Sequence, residues 1–116
     1  IALETLFFQN MLAVNQSLEL NYDLFYYRTA TGIEVDFIAY GPKGILAFEV
    51  KSTGRFSDSM LKGVRHFLKD YPKATGYLLY SGKETLYFDN ITVLPIKTAL
   101  MNLDKILVSS AVKLKL

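Results

Sequence analysis

Cysteine is absent from the 116-residue chain, which removes disulfide staples, thiolate nucleophiles and cysteine-based zinc sites together. A single histidine, His66, leaves little raw material for histidine-rich metal sites or a Ser-His-Asp triad. No uninterrupted apolar run is long enough to span a bilayer, and no apolar stretch with a basic lead-in reads as a signal peptide. The expectation is a cytoplasmic chain with no membrane partner. Pro/Gly/Ser-rich linkers and internal repeats are missing too, so residues 1–116 are read as one domain. The chain opens at Ile1 inside a helical pattern without an initiator Met, which suggests a piece of a longer protein.

What is present is a core. Hydrophobic residues make up 51% and aromatics 14%, which excludes a disordered chain, and the length suffices to bury a core without staples. The net charge of +2 does not announce a nucleic-acid binder, yet it hides an uneven distribution. Residues 1–42 carry one basic residue, Arg28, against five acids. Residues 43–73 carry seven basic residues against three acids. An acidic first third therefore precedes a basic middle.

The patterning places the elements. Phe7, Met11, Val14 and Leu18 form one helical stripe, and Glu4 lies a turn earlier on it, so Glu4 is expected to face inward. Leu24 to Thr29 reads as an aromatic-rich strand. Two alternating segments, Ile33 to Tyr40 and Ile45 to Ser52, read as a hairpin over a four-residue loop, Gly41 to Gly44. Ser57 is a candidate N-cap for a helix carrying Met60, Val64, Phe67, Leu68 and Tyr71 on one face. A strand at Gly76 to Tyr80 follows, then a hairpin over Asp89-Asn90 and a final helix from Thr98 to Leu107. The tail after Leu107 carries no assignment. The order is mixed α/β, with an antiparallel portion in the sheet.

The first hairpin carries the chemistry. Closing the loop at Gly41 to Gly44 sets Tyr40 against Ile45, which puts Val35 against Val50, Phe37 against Phe48 and Ala39 against Leu46, a consistent apolar face. On the other face Ile38 meets Ala47, Asp36 meets Glu49 and Glu34 meets Lys51. Two carboxylates facing each other across a ladder, with Cβ atoms about 4.5–5.5 Å apart, need a shared proton, a basic partner or a cation. Hard oxygen donors without cysteine or spare histidine point to Mg²⁺ or Mn²⁺. Lys51 can reach the same spot, and Glu4 could add a third carboxylate. The plain alternative is a solvated face with ordinary cross-strand pairs.

These residues resemble the PD-(D/E)XK nuclease-like superfamily, with its restriction-endonuclease-like fold. Asp36 in Glu-Val-Asp-Phe matches the acid of one strand, and Glu49-Val50-Lys51 matches the (D/E)-x-K of the next. Glu4 fits the acid often carried by the first helix, and Val35 stands where the family name has Pro. The closer resemblance is to the uncharacterised domain C-terminal to the ATPase module of prokaryotic AAA+-superfamily proteins. It rests on Tyr27-Arg28-Thr29, Gly32 to Phe37 and Ala47 to Ser52, and covers roughly Leu3 to Pro95. The resemblance implies a restriction-endonuclease-like core: a helix, a three-stranded meander, a helix and a strand, in a mixed sheet flanked by helices. It implies a C-terminal piece of a longer ATPase, with an ATPase module N-terminal to it as partner.

The functional expectation is a divalent-metal-dependent nuclease-like domain acting on nucleic-acid phosphodiester bonds. Asp36, Glu49 and Lys51 would be catalytic, and Asp36, Glu49 and Glu4 would hold Mg²⁺ or Mn²⁺. Glu34 and Ser52 would assist. The alternative is an inactive nuclease-fold module that binds DNA or a protein. Lys62, Arg65 and Lys69 share a polar face with His66 and Lys73, either as a ridge for nucleic-acid phosphates or as a solvated surface. His66 itself reads as a surface residue. Tyr22, Phe25, Tyr26 and Tyr27 offer base-stacking surfaces or, as aromatics of a strand, belong to the core. Arg28 is placed to pair with Glu34 or Asp36.

Overall fold

The computed structural model describes residues 2–109. Its elements run α1 (Leu3–Ser17), β1 (Asp23–Arg28), β2 (Glu34–Gly41), β3 (Gly44–Val50), a 3₁₀ turn (Asp58–Leu61), α2 (Lys62–Asp70), β4 (Thr75–Tyr80), β5 (Leu86–Phe88), β6 (Ile91–Pro95), α3 (Ile96–Met101) and α4 (Leu103–Ser109). The strands form one mixed sheet in the order β1-β2-β3-β4-β6-β5. β1, β2 and β3 are an antiparallel meander; β3, β4 and β6 run parallel; β5 returns antiparallel at the far edge. No helix among the described residues is long and apolar enough to cross a membrane.

Helices cover both faces of the sheet. On one face Phe7 and Met11 of α1 pack with Phe48, Leu79, Ala99 of α3 and Leu103 of α4. Phe48 is the centre of that layer, with ring centroids 5.1 Å from Phe7 and 5.3 Å from Tyr77. Each such buried ring contributes roughly 1.5–3 kcal/mol by leaving water. On the other face Val64 and Phe67 of α2 cover Ile38, Ala47, Leu78 and Val93. Central strands covered on both sides explain why β3 and β4 read as apolar runs with little alternation. They also bury Ile38 and Ala47, so the face of the first hairpin is solvated only toward Glu34 and Lys51.

The hairpin register matches the expected one from Tyr40–Ile45 to Phe37–Phe48. Gly41 and Gly44 also pair, so the connection shortens to Pro42-Lys43. Beyond Phe37 the expectation fails. β1 pairs Phe25 with Ile38 and Tyr27 with Val35, so three residues of β2 span two of β1. This bulge adds Asp36 to the strand and turns Val35 to the α2 side, beside Ile38, while Phe37 stays on the α1 side. The expected pairs Asp36–Glu49, Val35–Val50 and Glu34–Lys51 are absent from the ladder.

Two helices also differ from expectation. The turn that begins at Ser57 is 3₁₀, and the Ser57 hydroxyl meets Ser59 Oγ at 3.0 Å in place of capping a backbone N–H. The last helix is broken at Asn102, whose side-chain amide donates to the Thr98 carbonyl at 2.8 Å, ending α3 before α4 begins. The unassigned tail lies, from residue 110 onward, outside the described residues.

Candidate active site at the β2 bulge

The bulge exposes backbone donors that carboxylates then satisfy. Where the β2–β3 ladder stops, the Asp36 N–H donates to Glu49 Oε1 at 2.9 Å, and the Val50 N–H donates to Asp36 Oδ2 at 2.8 Å. Each strand thus hands its acid to the other strand's backbone, a reciprocal interlock in place of two ladder bonds. Glu49 is only 9% exposed, the one buried charged residue among the described residues. It sits centrally because β3 continues along β4, opposite Leu78.

The electrostatics follow from that position. Burial pushes the Glu49 carboxyl up to about 7, and the neighbouring Asp36 charge and side-chain hydrogen bond add to the rise. The Asp36 backbone N–H and the Lys51 ammonium oppose it. Lys51 Nζ lies 3.3 Å from Glu49 Oε2, and the Lys51 backbone N–H donates to the Leu79 carbonyl at 2.8 Å. That last bond extends β3's alignment with β4 by one residue and aims Lys51 over the acid pair.

Two open clefts meet at the pair. One, about 290 Å³, is bordered by Glu34, Glu49, Lys51, Ser59, Lys62 and Gly63 among others. The second, about 300 Å³, is lined by Glu4, Thr5, Phe8, Tyr26, Asp36 and Phe37. Gly63 makes the first cleft possible: a Cβ there would collide with the Glu34 carbonyl, so only glycine lets α2 approach the start of β2 this closely.

The expected site residues divide accordingly. Asp36, Glu49 and Lys51 come together, and Lys62 joins them across the first cleft. Glu34 reaches the same cleft but pairs with Arg28 at 3.6 Å, so Arg28 takes Glu34 and leaves Asp36 to the interlock. Glu4 contradicts its inward expectation: Phe7 and Met11 on its stripe are buried, but Glu4 borders an open cleft and is exposed. Among the described residues no three carboxylates or histidines gather as a metal-ligand set, which removes Glu4 as a third ligand in this arrangement. Ser52 is exposed just past β3 and lines neither cleft. Arg65 is held by Asp58 at 2.8 Å and stacks over Phe88, and Lys69 stands at the far end of α2.

The aromatic segment splits as well. Tyr22 is core, donating its hydroxyl to the Leu107 carbonyl at 2.6 Å, while Phe25 and Tyr26 are exposed. His66, expected at the surface, is half-buried, and its Nδ1 lies 3.0 Å from the Tyr27 hydroxyl, tying α2 to β1. Gly63, Ser59, Thr5 and Phe8 line the two clefts and were passed over by sequence reasoning. A glycine inside a helical pattern is the signal that could have found the first of them.

The donor set suits a hard divalent cation. Mg²⁺ is commonly held by one or two carboxylates with water and substrate oxygens completing its shell. Asp36 and Glu49 supply two carboxylates, and each keeps an oxygen not engaged by the other strand's N–H.

Among known proteins, the profile of DUF4143, a domain of unknown function, matches residues 1–99. No curated protein and no solved structure matches the chain. With all but the end of the chain covered, including both strands of the interlock, this protein belongs to the DUF4143 family.

Proposed function

We propose that this domain is a divalent-metal-dependent nuclease-like unit that hydrolyses nucleic-acid phosphodiester bonds. The observation that carries the reading is a buried Glu49 interlocked with Asp36 at a strand bulge, with Lys51 Nζ at 3.3 Å. A buried acid set against a second acid, with a lysine converging on both, is costly, and such features concentrate at functional sites, as bulges do. The element order supports it: a helix, a three-stranded meander, a helix and a parallel strand resemble a restriction-endonuclease-like core. In this reading the domain is appended to an AAA+-type ATPase.

Hydrolysis joins a water oxygen to phosphorus and breaks one P–O bond, so negative charge builds on the phosphoryl and leaving oxygens. Asp36 and Glu49 would hold Mg²⁺ or Mn²⁺, which when bound neutralises that charge and acidifies coordinated water. Lys51 donates to a phosphoryl oxygen as charge develops, or orients the attacking water. Lys62 faces the same cleft and holds the phosphate against it.

A second reading has its own observation. Both acids are already satisfied by strand N–H groups, so the interlock can serve as a structural clasp in an inactive module that binds DNA or protein. Titration with Mn²⁺ followed by thermal melting separates the two. The nuclease reading expects Tm to rise with Mn²⁺ and the rise to vanish in Asp36→Asn, which keeps an acceptor for Val50 N–H. It also expects plasmid cleavage that Lys51→Ala abolishes. No response to Mn²⁺ and no cleavage in the unaltered protein leave only the module.

A further inference from the structure

Ion pairs engage Arg28, Lys51 and Arg65 among the described residues, and Arg55, Lys62 and Lys83 are among the cations with no acidic partner there. The question is where the fold puts those three.

Past β3 the chain does not leave the sheet. The Lys51 N–H bonds the Leu79 carbonyl at 2.8 Å, and the Ser81 N–H bonds the Thr53 carbonyl at 2.9 Å, so residues 51–53 run alongside the end of β4. Thr53 Oγ1 then accepts the Arg55 N–H at 3.2 Å, fixing the turn that carries Arg55. Opposite, Gly82 packs so tightly on Gly54 that a Cβ would lie 2.8 Å from the Gly54 carbonyl oxygen. Tyr80 closes the second turn, its hydroxyl donating to the Glu84 carbonyl at 2.8 Å and accepting the Glu84 N–H at 3.1 Å. Two loops that are far apart in sequence are thereby joined, and Arg55 and Lys83 are exposed on the joined pair. Lys51 lies at its inner edge, and Lys62 stands across the cleft that Lys51 borders. The acids on this side are engaged: Glu34 pairs with Arg28, Glu49 with Lys51 and Asp58 with Arg65, and Glu84 is the single acid on the joined loops, while Glu4 borders the other cleft.

We propose that Lys62, Lys51, Arg55 and Lys83 form a cationic track that holds the phosphate backbone of a nucleic acid and leads it from α2, past the Asp36–Glu49 pair, onto the joined loops. The inference rests on the proposed nuclease-like reading for the position of the scissile bond, and adds the direction in which the strand leaves the site. A backbone carrying one charge per phosphate is repelled from the Glu4 side and attracted to this one. The two loops need no rearrangement to present their cations, because their hydrogen bonds already hold them.

The test is the salt dependence of binding by the full-length protein, in EDTA so that no cleavage intervenes. Fluorescence anisotropy with a labelled duplex gives log K against log salt. Each phosphate contact removed should flatten the slope by about 0.9, and by about 0.7 on a single strand. Arg55→Ala and Lys83→Ala are expected to do so, with unchanged far-UV spectra. Lys97→Ala removes the same charge from α3, across the sheet, and should leave the slope alone. Differences in slope cancel contacts made by other parts of the protein. Slopes equal to the unaltered protein's in both variants, an equal flattening in Lys97→Ala, or no binding at all would overturn the track. Cleavage in Mn²⁺ with unflattened slopes sinks the track and keeps the nuclease reading; flattened slopes without cleavage do the reverse.

Discussion

At the scale of single residues, Glu49 holds the most unfavourable position in the fold, a carboxyl 9% exposed in the middle of a sheet. Its proton leaves near 4.5 in the unfolded chain and near 7 in the folded one. Between those values the unfolded state binds fewer protons, so folding stability falls as pH rises from about 5 to 7. At about 1.36 kcal/mol per unit of pKa the loss reaches at most about 3 kcal/mol. Glu49→Gln keeps an acceptor for the Asp36 N–H but carries no charge. Calorimetric melting across this range should show the unaltered Tm declining and the variant's staying flat, leaving Glu49→Gln the more stable protein at pH 8. A variant that declines in parallel would assign the pH dependence to another group. The identities of Asp36, Glu49 and Lys51 were legible in the sequence, because acid and lysine spacing on alternating strands is a one-dimensional pattern. The burial of Glu49 was not, since it depends on α2 and β4 closing over it.

At the scale of elements, the hairpin register was readable as far as Phe37–Phe48, where apolar residues alternate cleanly. The bulge was not readable. Val35 and Phe37 are both apolar and two apart, so the pattern assigns them one face, while the fold sends them to opposite faces. The two backbone N–H groups captured by Asp36 and Glu49 support that departure, and sequence periodicity does not register them. The break at Asn102 escaped for a related reason, a side-chain amide bonded to the Thr98 carbonyl with no Pro or Gly to mark it. The α2–β2 contact offers a test at this scale. Gly63→Ala should push α2 away from the Glu34 carbonyl, costing about 1–3 kcal/mol as overpacking does. Denaturant unfolding measures that loss, and a helical gain in stability at this position would contradict the contact.

At the scale of the whole molecule, two cores are separated by one sheet, and the site lies where neither is disturbed. Residue 36 is the extra residue between Val35 on the α2 side and Phe37 on the α1 side. Without it, Val35, Phe37 and Ile38 would alternate as a regular strand, and Tyr27 would still meet Val35. A protein lacking Asp36 is therefore expected to keep both cores, with a native-like NMR spectrum outside β2 and β3, while losing the Mn²⁺ response that the nuclease reading expects. Collapse of the spectrum would mean that the bulge is needed for folding. The interlock is in this sense a single-codon insertion into an ordinary sheet. A lineage could acquire or discard the Asp36 half of the interlock in one step, and a relative without it would look, in every other respect, like the same fold.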